Sequence, residues 1–111
     1  MDIFYFYHSV LPKRIALLFQ KKHIQILRDK GFKGVIITDD LRMLVNAGYK
    51  AEMVIEKAFL AGNDILLCID FPLNLEKIIN ILEKLSVDGK ISESEVNERV
   101  ERILILKLGR L

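Results

Sequence analysis

Three short apolar runs interrupt a chain that is otherwise patterned like amphipathic helices. They are "IFYFYH" at residues 3–8, "KGVIIT" at residues 33–38 and "DILLCID" at residues 64–70. The first is rich in aromatic side chains, and the other two are almost continuously apolar. Short apolar runs of this kind, bounded by polar residues, are typical of strands, and continuous ones are typical of strands buried on both faces.

Between and after these runs the apolar positions follow helical spacing. One helix is predicted over about residues 20–30, ended by Gly31, and another over residues 47–60, ended at "AG" (61–62). After Pro72, a third helix is predicted from a stripe of apolar residues at helical spacing, namely Leu75, Ile78, Ile79 and Leu82. The last helix is predicted to begin at a capping box, "SESE" (92–95), and to bury its apolar side chains, namely Val96, Val100, Ile103, Leu104 and those of residues 106–108.

The predicted order is strand, helix, strand, helix, strand, helix, helix. Strands that alternate with helices favour right-handed crossovers and a parallel sheet, so the fold class is α/β with about three parallel strands. The length of 111 residues suits one small domain at most.

Composition narrows the classes of function. Hydrophobic residues make up 51% of the chain, which excludes a disordered tail, and a net charge of +2 gives no reason to expect a nucleic-acid or membrane partner. The single cysteine, Cys68, excludes an internal disulfide and reads as a small buried hydrophobe. No run is long enough to span a bilayer, and "MDIFYFYHSV" is a poor secretory signal, so a cytoplasmic location is expected.

Polar side chains follow each predicted strand. His8 ends the first strand, Thr38, Asp39 and Asp40 end the second, and Asp70 ends the third. Functional groups of parallel α/β folds gather beyond the carboxyl ends of the strands, so these side chains should share one edge. A carboxylate at such a place can also cap the following helix, and the pattern alone leaves both roles open for Asp39.

Three longer segments carry a resemblance to a known family. "ILRDKGFKGVIITDDLRM" (26–43), "AFLAGNDILLCID" (58–70) and "DGKISESEVNERVERILILKLG" (88–109) together resemble family 3 glycoside hydrolases, in particular the bacterial β-N-acetylhexosaminidases. The resemblance implies a TIM-type (β/α)8 barrel of which residues 1–111 form the C-terminal part: the sixth to eighth strands and the closing helices. The N-terminal part of that catalytic domain has no counterpart here.

The resemblance also implies roles for single residues. The first Asp of "TDD" is the catalytic nucleophile of that family, which places this role on Asp39, with a retaining mechanism acting on an amino-sugar glycoside. His8 resembles a histidine near the sugar pocket, or it is a structural histidine. Met43 is either a wall of the site or core filler. Asp40 is expected to orient the turn or cap the next helix.

Three further residues are expected to be structural or superficial. Asp64 matches the Asp of the family's "AGxD" and should serve the start of its strand. Arg102 should be an ion-pair partner on the closing helix. His23, among lysines, should lie on the surface.

The family's general acid/base lies in a "KHFPGHG" region, which this chain lacks. An isolated chain is therefore expected to be inactive unless an N-terminal complementing chain or a homo-oligomer completes the site, and no cofactor or metal is implied. The alternative is a non-catalytic remnant or a self-associating assembly module. A weaker third hypothesis is a small-ligand module in which Asp39 and Asp40 bind Mg²⁺.

Overall fold

The computed structural model describes the backbone of residues 3–5 and residues 21–109 in full. Within these residues the chain forms three strands and five helices. In chain order they are β1 (Ile3–Tyr5), α1 (Lys21–Asp29), β2 (Val35–Asp40), α2 (Arg42–Asn46), α3 (Ala51–Leu60), β3 (Ile65–Leu67), α4 (Leu75–Val87) and α5 (Glu93–Lys107).

The strands form one parallel sheet in the order β1-β2-β3. Ile3 pairs with Val35 on one side of β2, and Ile37 pairs with Ile65 on the other. The central strand is the most buried, since Val35 and Ile36 are 1% and 0% exposed. β3 is shorter than residues 64–70 and only half-buried, because it lies at an edge of the sheet.

Helix α1 ends where the sequence predicts. Gly31 has φ +93°, its N–H donates to the carbonyl of Arg28 at 2.9 Å, and the N–H of Phe32 donates to that of Leu27 at 3.1 Å. These two bonds define a Schellman motif, which requires a left-handed residue that glycine adopts at little cost.

The prediction of a single helix over residues 47–60 is wrong at the start of that helix. Gly48 has φ +102°, and the N–H of Tyr49 donates to the carbonyl of Leu44 at 3.1 Å, which ends a separate short helix, α2. The chain re-enters helix only at Ala51. The apolar spacing continues across this break because α2 and α3 pack into the same cluster of buried residues.

Two apolar clusters lie on the helical side of the sheet. The larger cluster joins α2 and α3, with α4 and Leu66 of β3 packed against it; its buried members are Leu41, Leu44, Val54, Ile55 and Ala58. The smaller cluster joins Ile24 of α1 to Ile36 of β2 and to Ala61. Together they hold the carboxyl ends of β2 and β3 against a rigid helical layer.

The buried faces of the last two helices differ from the predicted ones. On α4, Ile78 and Leu82 pack against the larger cluster as expected, whereas Leu75 and Ile79 are 71% and 43% exposed. On α5 the expected core residues Val100, Leu104 and Leu108 are about half exposed, and the buried side chain is Arg99. Apolar spacing shows which side chains share a helix face, but here no described element covers that face of α5.

The predicted N-cap Ser92 at the start of α5 is confirmed, whereas the Glu95 carboxylate bonds the Ser92 hydroxyl instead of the backbone N–H that a capping box uses. Ser92 Oγ accepts a hydrogen bond from the N–H of Glu95 at 3.1 Å, and its hydroxyl donates to Glu95 Oε1 at 3.3 Å. Among the described residues no helix is long and apolar enough to cross a membrane.

Candidate active site at the carboxyl end of the sheet

The two adjacent carboxylates lie at the last positions of β2. Asp39 and Asp40 are both half-buried, and neither belongs to an apolar cluster. The rest of β2 is buried up to Thr38, apart from the half-buried Ile37. The strand is therefore apolar and packed along most of its length and polar at its carboxyl end. A packed strand fixes the position of a carboxylate better than a loop does.

The two side chains have different surroundings. Asp39 Oδ1 accepts a hydrogen bond from the N–H of Asp40 at 2.8 Å. Asp40 Oδ1 accepts from the N–H of Arg42 at 3.1 Å and from the N–H of Ile69 at 3.4 Å. Asp40 thus holds the turn into α2 and reaches the segment after β3, as a turn-orienting residue would.

The tip of β3 lies beside the tip of β2. The N–H of Leu41 donates to the carbonyl of Leu67 at 2.9 Å, and Asp70 Oδ2 accepts from Arg42 Nη1 at 3.4 Å. Asp70 has φ +48°, an uncommon conformation that Asp tolerates better than most residues. The structure therefore brings Asp39, Asp40 and Asp70 to one edge of the sheet.

A β-bulge in β2 contains Thr38 and Asp39, directly before Asp40. Ile37 pairs with Ile65 and Asp40 pairs with Leu67, so three residue steps along β2 are matched by only two along β3. Thr38, which is fully buried, accepts a hydrogen bond through Oγ1 from the N–H of Leu67 at 2.9 Å. Bulges often redirect side chains next to active sites and are rare in parallel pairs.

The other two predicted site residues have different outcomes. His8 lies outside the described residues. Met43 is half-buried on α2, three residues after Asp40, and neither a sugar-pocket role nor a packing role is tested by this position.

Cys68 follows β3 directly and is half-buried rather than buried. Burial, and next the nearby charge of Asp40, raise the pKa of the Cys68 thiol. Among the described residues, no group of three His, Cys, Asp or Glu side chains could hold a metal ion.

At the opposite end of the sheet, Asp64 is a buried structural carboxylate, as predicted. Its Oδ2 accepts from Arg28 Nη2 at 2.7 Å and from the N–H of Ile36 at 2.8 Å. Its Oδ1 accepts from Arg102 Nε and Nη2 at 2.9 and 2.7 Å, which confirms the ion pair predicted for Arg102. The Asp64 side chain is fully buried, and all its bonds are charge-assisted or come from the backbone.

Two arginines of this region have roles that the sequence analysis did not predict. Arg28, which already bonds Asp64, also donates through its Nη1 to the carbonyl of Gly34 at 2.6 Å. Arg99 stacks 4.3 Å from the ring centroid of Phe59 and donates to that residue's carbonyl at 2.6 Å. Burial lowers the pKa of both guanidinium groups, and the charge of Asp64 opposes the shift. The i, i+3 spacing of Arg99 and Arg102 was the available signal, since it places both on one face of α5.

His23 differs from its surface prediction. It is half-buried, and its Nδ1 is buried without a hydrogen-bond partner among the described residues.

Comparisons with known proteins agree on one family. Residues 11–106 match the glycosyl hydrolase family 3 N terminal domain. The β-N-acetylglucosaminidase from Thermotoga maritima has a TM-score of 0.65 and 28% identity over 78% of this chain and 20% of its own. The glycoside hydrolase family 3 β-N-acetylglucosaminidase from Paenibacillus sp. FPU-7 has a TM-score of 0.71 and 24% identity over 97% of this chain and 22% of its own.

A third structure is a fungal multi-domain GH3 β-N-acetylglucosaminidase, with a TM-score of 0.68 and 25% identity over 82% of this chain and 11% of its own. The chain therefore spans between 11% and 22% of the length of these three relatives. None of the curated proteins matches it.

Proposed function

Because this chain belongs to glycosyl hydrolase family 3, we propose that it forms the C-terminal part of a β-N-acetylhexosaminidase-like catalytic barrel and carries its nucleophile, Asp39. The observation that supports this most directly is the position of Asp39. A half-buried carboxylate lies outside the apolar clusters, at the carboxyl tip of the central strand of a parallel sheet. That is the edge where barrel enzymes of this class place their reacting groups.

The surroundings of Asp39 suit a retaining mechanism. Such an enzyme needs an ionised oxygen that attacks the anomeric carbon and a second group that protonates the leaving oxygen. Asp39 Oδ1 is held by the N–H of Asp40, and among the described residues nothing hydrogen-bonds to Oδ2. Oδ2 is the oxygen we assign to the attack, while Oδ1 fixes the carboxylate plane.

The second group, which protonates the leaving oxygen, must come from outside the described sheet. β1 and β3 form the two edges, and three strands make only part of an eight-stranded barrel. We assign the general acid/base and the remaining strands to a complementing N-terminal portion. The half-exposed apolar side chains of α5 are consistent with a face that such a portion covers; they are Val100, Leu104, Ile105 and Leu108.

The same exposed face favours the second candidate function, a non-catalytic module that self-associates. Leu104 in the last turn of α5 and Leu108 directly after the helix are 51% and 56% exposed. An apolar stripe of this kind can pair with a second copy as readily as with a catalytic partner. The two candidates differ in whether hydrolysis appears once a complementing portion is supplied.

The test combines the chain with the segment of the Thermotoga maritima β-N-acetylglucosaminidase that precedes its matched region, and measures hydrolysis of an aryl N-acetylglucosaminide. Activity in the mixture, absent from either part alone, supports the proposal. Asp39→Asn should then reduce kcat by at least ~10³-fold, whereas Glu83→Gln, an exposed carboxylate on α4, should not change it. In Asp39→Ala, added azide should restore turnover and yield a glycosyl azide, because a small anion replaces the missing nucleophile.

A stable complex without hydrolysis would contradict the enzymatic proposal and favour the self-associating module. Hydrolysis that survives Asp39→Asn would move the nucleophile to another residue.

A further inference from the structure

We infer that Thr38 is a positioning residue, which aims Asp39 by holding the β-bulge that contains both residues. The inference deepens the proposed function and rests on it. Thr38 itself is fully buried, so it does not contact a sugar. Thr38 affects the reaction through the backbone of the next residue, Asp39.

The bulge makes the direction of Asp39 depend on local bonding. Between the pairs Ile37–Ile65 and Asp40–Leu67, β2 contains one residue more than β3. Side chains alternate along a regular strand, so one extra residue changes the direction of every side chain that follows it. Something must stabilise the irregular register against the regular one.

Leu67 supplies that stabilisation from both sides of the carboxylates. Its N–H donates to Thr38 Oγ1 at 2.9 Å, and its carbonyl accepts from the N–H of Leu41 at 2.9 Å. A side-chain hydroxyl thus accepts a bond that a backbone carbonyl of β2 would accept in a regular ladder. The segment containing Asp39 and Asp40 is fastened at both ends to one residue of the neighbouring strand.

The hydroxyl is therefore the functional feature of Thr38. A threonine or serine oxygen can accept the Leu67 N–H at this partly buried contact, and an aliphatic side chain of the same shape cannot. A partly buried N–H without an acceptor is unfavourable, so Thr38→Val favours regular pairing and moves Asp39. Asp40 supports the arrangement from outside, through its bond to the N–H of Ile69 at 3.4 Å.

The test uses the whole 111-residue chain and NMR, with no need for hydrolysis. In the wild type, the Asp40 amide proton should resonate downfield of its random-coil position at constant pH, because it is bonded to Asp39 Oδ1 at 2.8 Å. In Thr38→Val that downfield displacement should fall at least twofold, and the Leu67 amide should exchange at least tenfold faster. Thr38→Ser should restore both values, since it keeps the acceptor.

Ile36→Val is the matched control, because Ile36 is equally buried in the same strand and has no polar atom. It should lower stability and leave the Asp40 amide shift unchanged, which separates positioning from general weakening of the strand. If Thr38→Val does not fold, Thr38→Ala, which relieves any crowding, should show the same two changes.

Three results would overturn the inference: an Asp40 amide proton at its random-coil position in the wild type, an unchanged Asp40 amide shift in a folded Thr38→Val or Thr38→Ala, or a serine variant that behaves like valine. Failure of the proposed function would instead appear as absent hydrolysis with these spectra as expected.

Discussion

At the residue scale, ion pairs between aspartate and arginine occur in two very different environments. Asp64 is fully buried and shared between Arg28 and Arg102, whose side chains are 18% and 22% exposed. Asp70 and Arg42 form a longer pair of 3.4 Å with side chains 81% and 48% exposed. Removing one partner of a buried pair leaves uncompensated charge, whereas an exposed pair is screened by water.

Asp64→Asn should therefore destabilise the chain by about 3–5 kcal/mol, because two buried guanidinium groups would lose their counter-charge. Asp70→Asn is the matched control and should change the unfolding free energy by less than about 0.5 kcal/mol. Asparagine also tolerates the left-handed backbone of position 70. Urea unfolding followed by circular dichroism measures both, and equal effects would contradict the distinction.

The Cys68 thiol reports on the carboxyl edge of the sheet. Burial and the charge of Asp40 raise its pKa, so alkylation by iodoacetamide should need a higher pH than alkylation of N-acetylcysteine. Asp40→Asn should shift the midpoint of the rate against pH downward, and Glu83→Gln should not. Because the folded state favours the neutral thiol, the unfolding free energy should fall as pH rises through its folded pKa. A midpoint that Asp40→Asn leaves unchanged would exclude Asp40 as a cause.

At the element scale, left-handed glycines set where the helices end. Gly48 and Gly62 have φ +102° and +109°, but a methyl group would meet different surroundings at the two sites. At Gly48 nothing lies within 4 Å of the added carbon, whereas at Gly62 the added carbon would lie 3.1 Å from Ile24 Cγ2. The first site therefore tests backbone conformation alone, and the second adds contact with a buried side chain.

Gly48→Ala should cost about 1–2 kcal/mol, the price of a left-handed backbone at a residue with a side chain. Gly62→Ala should cost more, because Ile24 is 4% exposed and has little room to move. Thermal or chemical unfolding of both variants gives the comparison. Equal losses would show that Ile24 yields to the added methyl group.

Sequence patterns identified the elements better than their limits. Apolar runs predicted the strands, and "SESE" predicted the start of α5, because these signals depend on local geometry. Gly48 could have marked the break before α3, but the apolar spacing on its two sides matches a single helix. The bulge at Thr38 and the burial of Arg99 depend on residues about 30 to 40 positions away, which no local pattern contains.

At the scale of the whole molecule, burial is uneven. The helical side of β2 and β3 is closely packed, whereas α5 has Val100 and Leu104 about half exposed on one face. The chain spans only a fifth of the length of its Thermotoga relative. The complementing portion proposed above is the partner for this exposed face of α5.

The double substitution Val100→Gln and Leu104→Gln should leave the unfolding free energy of the monomer nearly unchanged, because both side chains are already half exposed. It should weaken association with the complementing portion or with a second copy at least tenfold, as measured by sedimentation. Val87→Gln, at a position 84% exposed at the end of α4, is the control and should not affect association. Undiminished association of the double variant would place the interface elsewhere.

The shared carboxylate of Asp64 has a consequence for cooperativity. It joins three parts of the chain that are distant in sequence: Arg28 in the last turn of α1, the start of β3, and Arg102 in the last helix. If α5 unfolded from its end past Arg102, the buried Asp64 carboxylate would lose the positive charge of that arginine. The last helix should therefore not open independently of the rest of the fold. Slow amide hydrogen exchange should therefore extend into the middle of α5 with the same protection as β2, and the described helices should be lost in one transition.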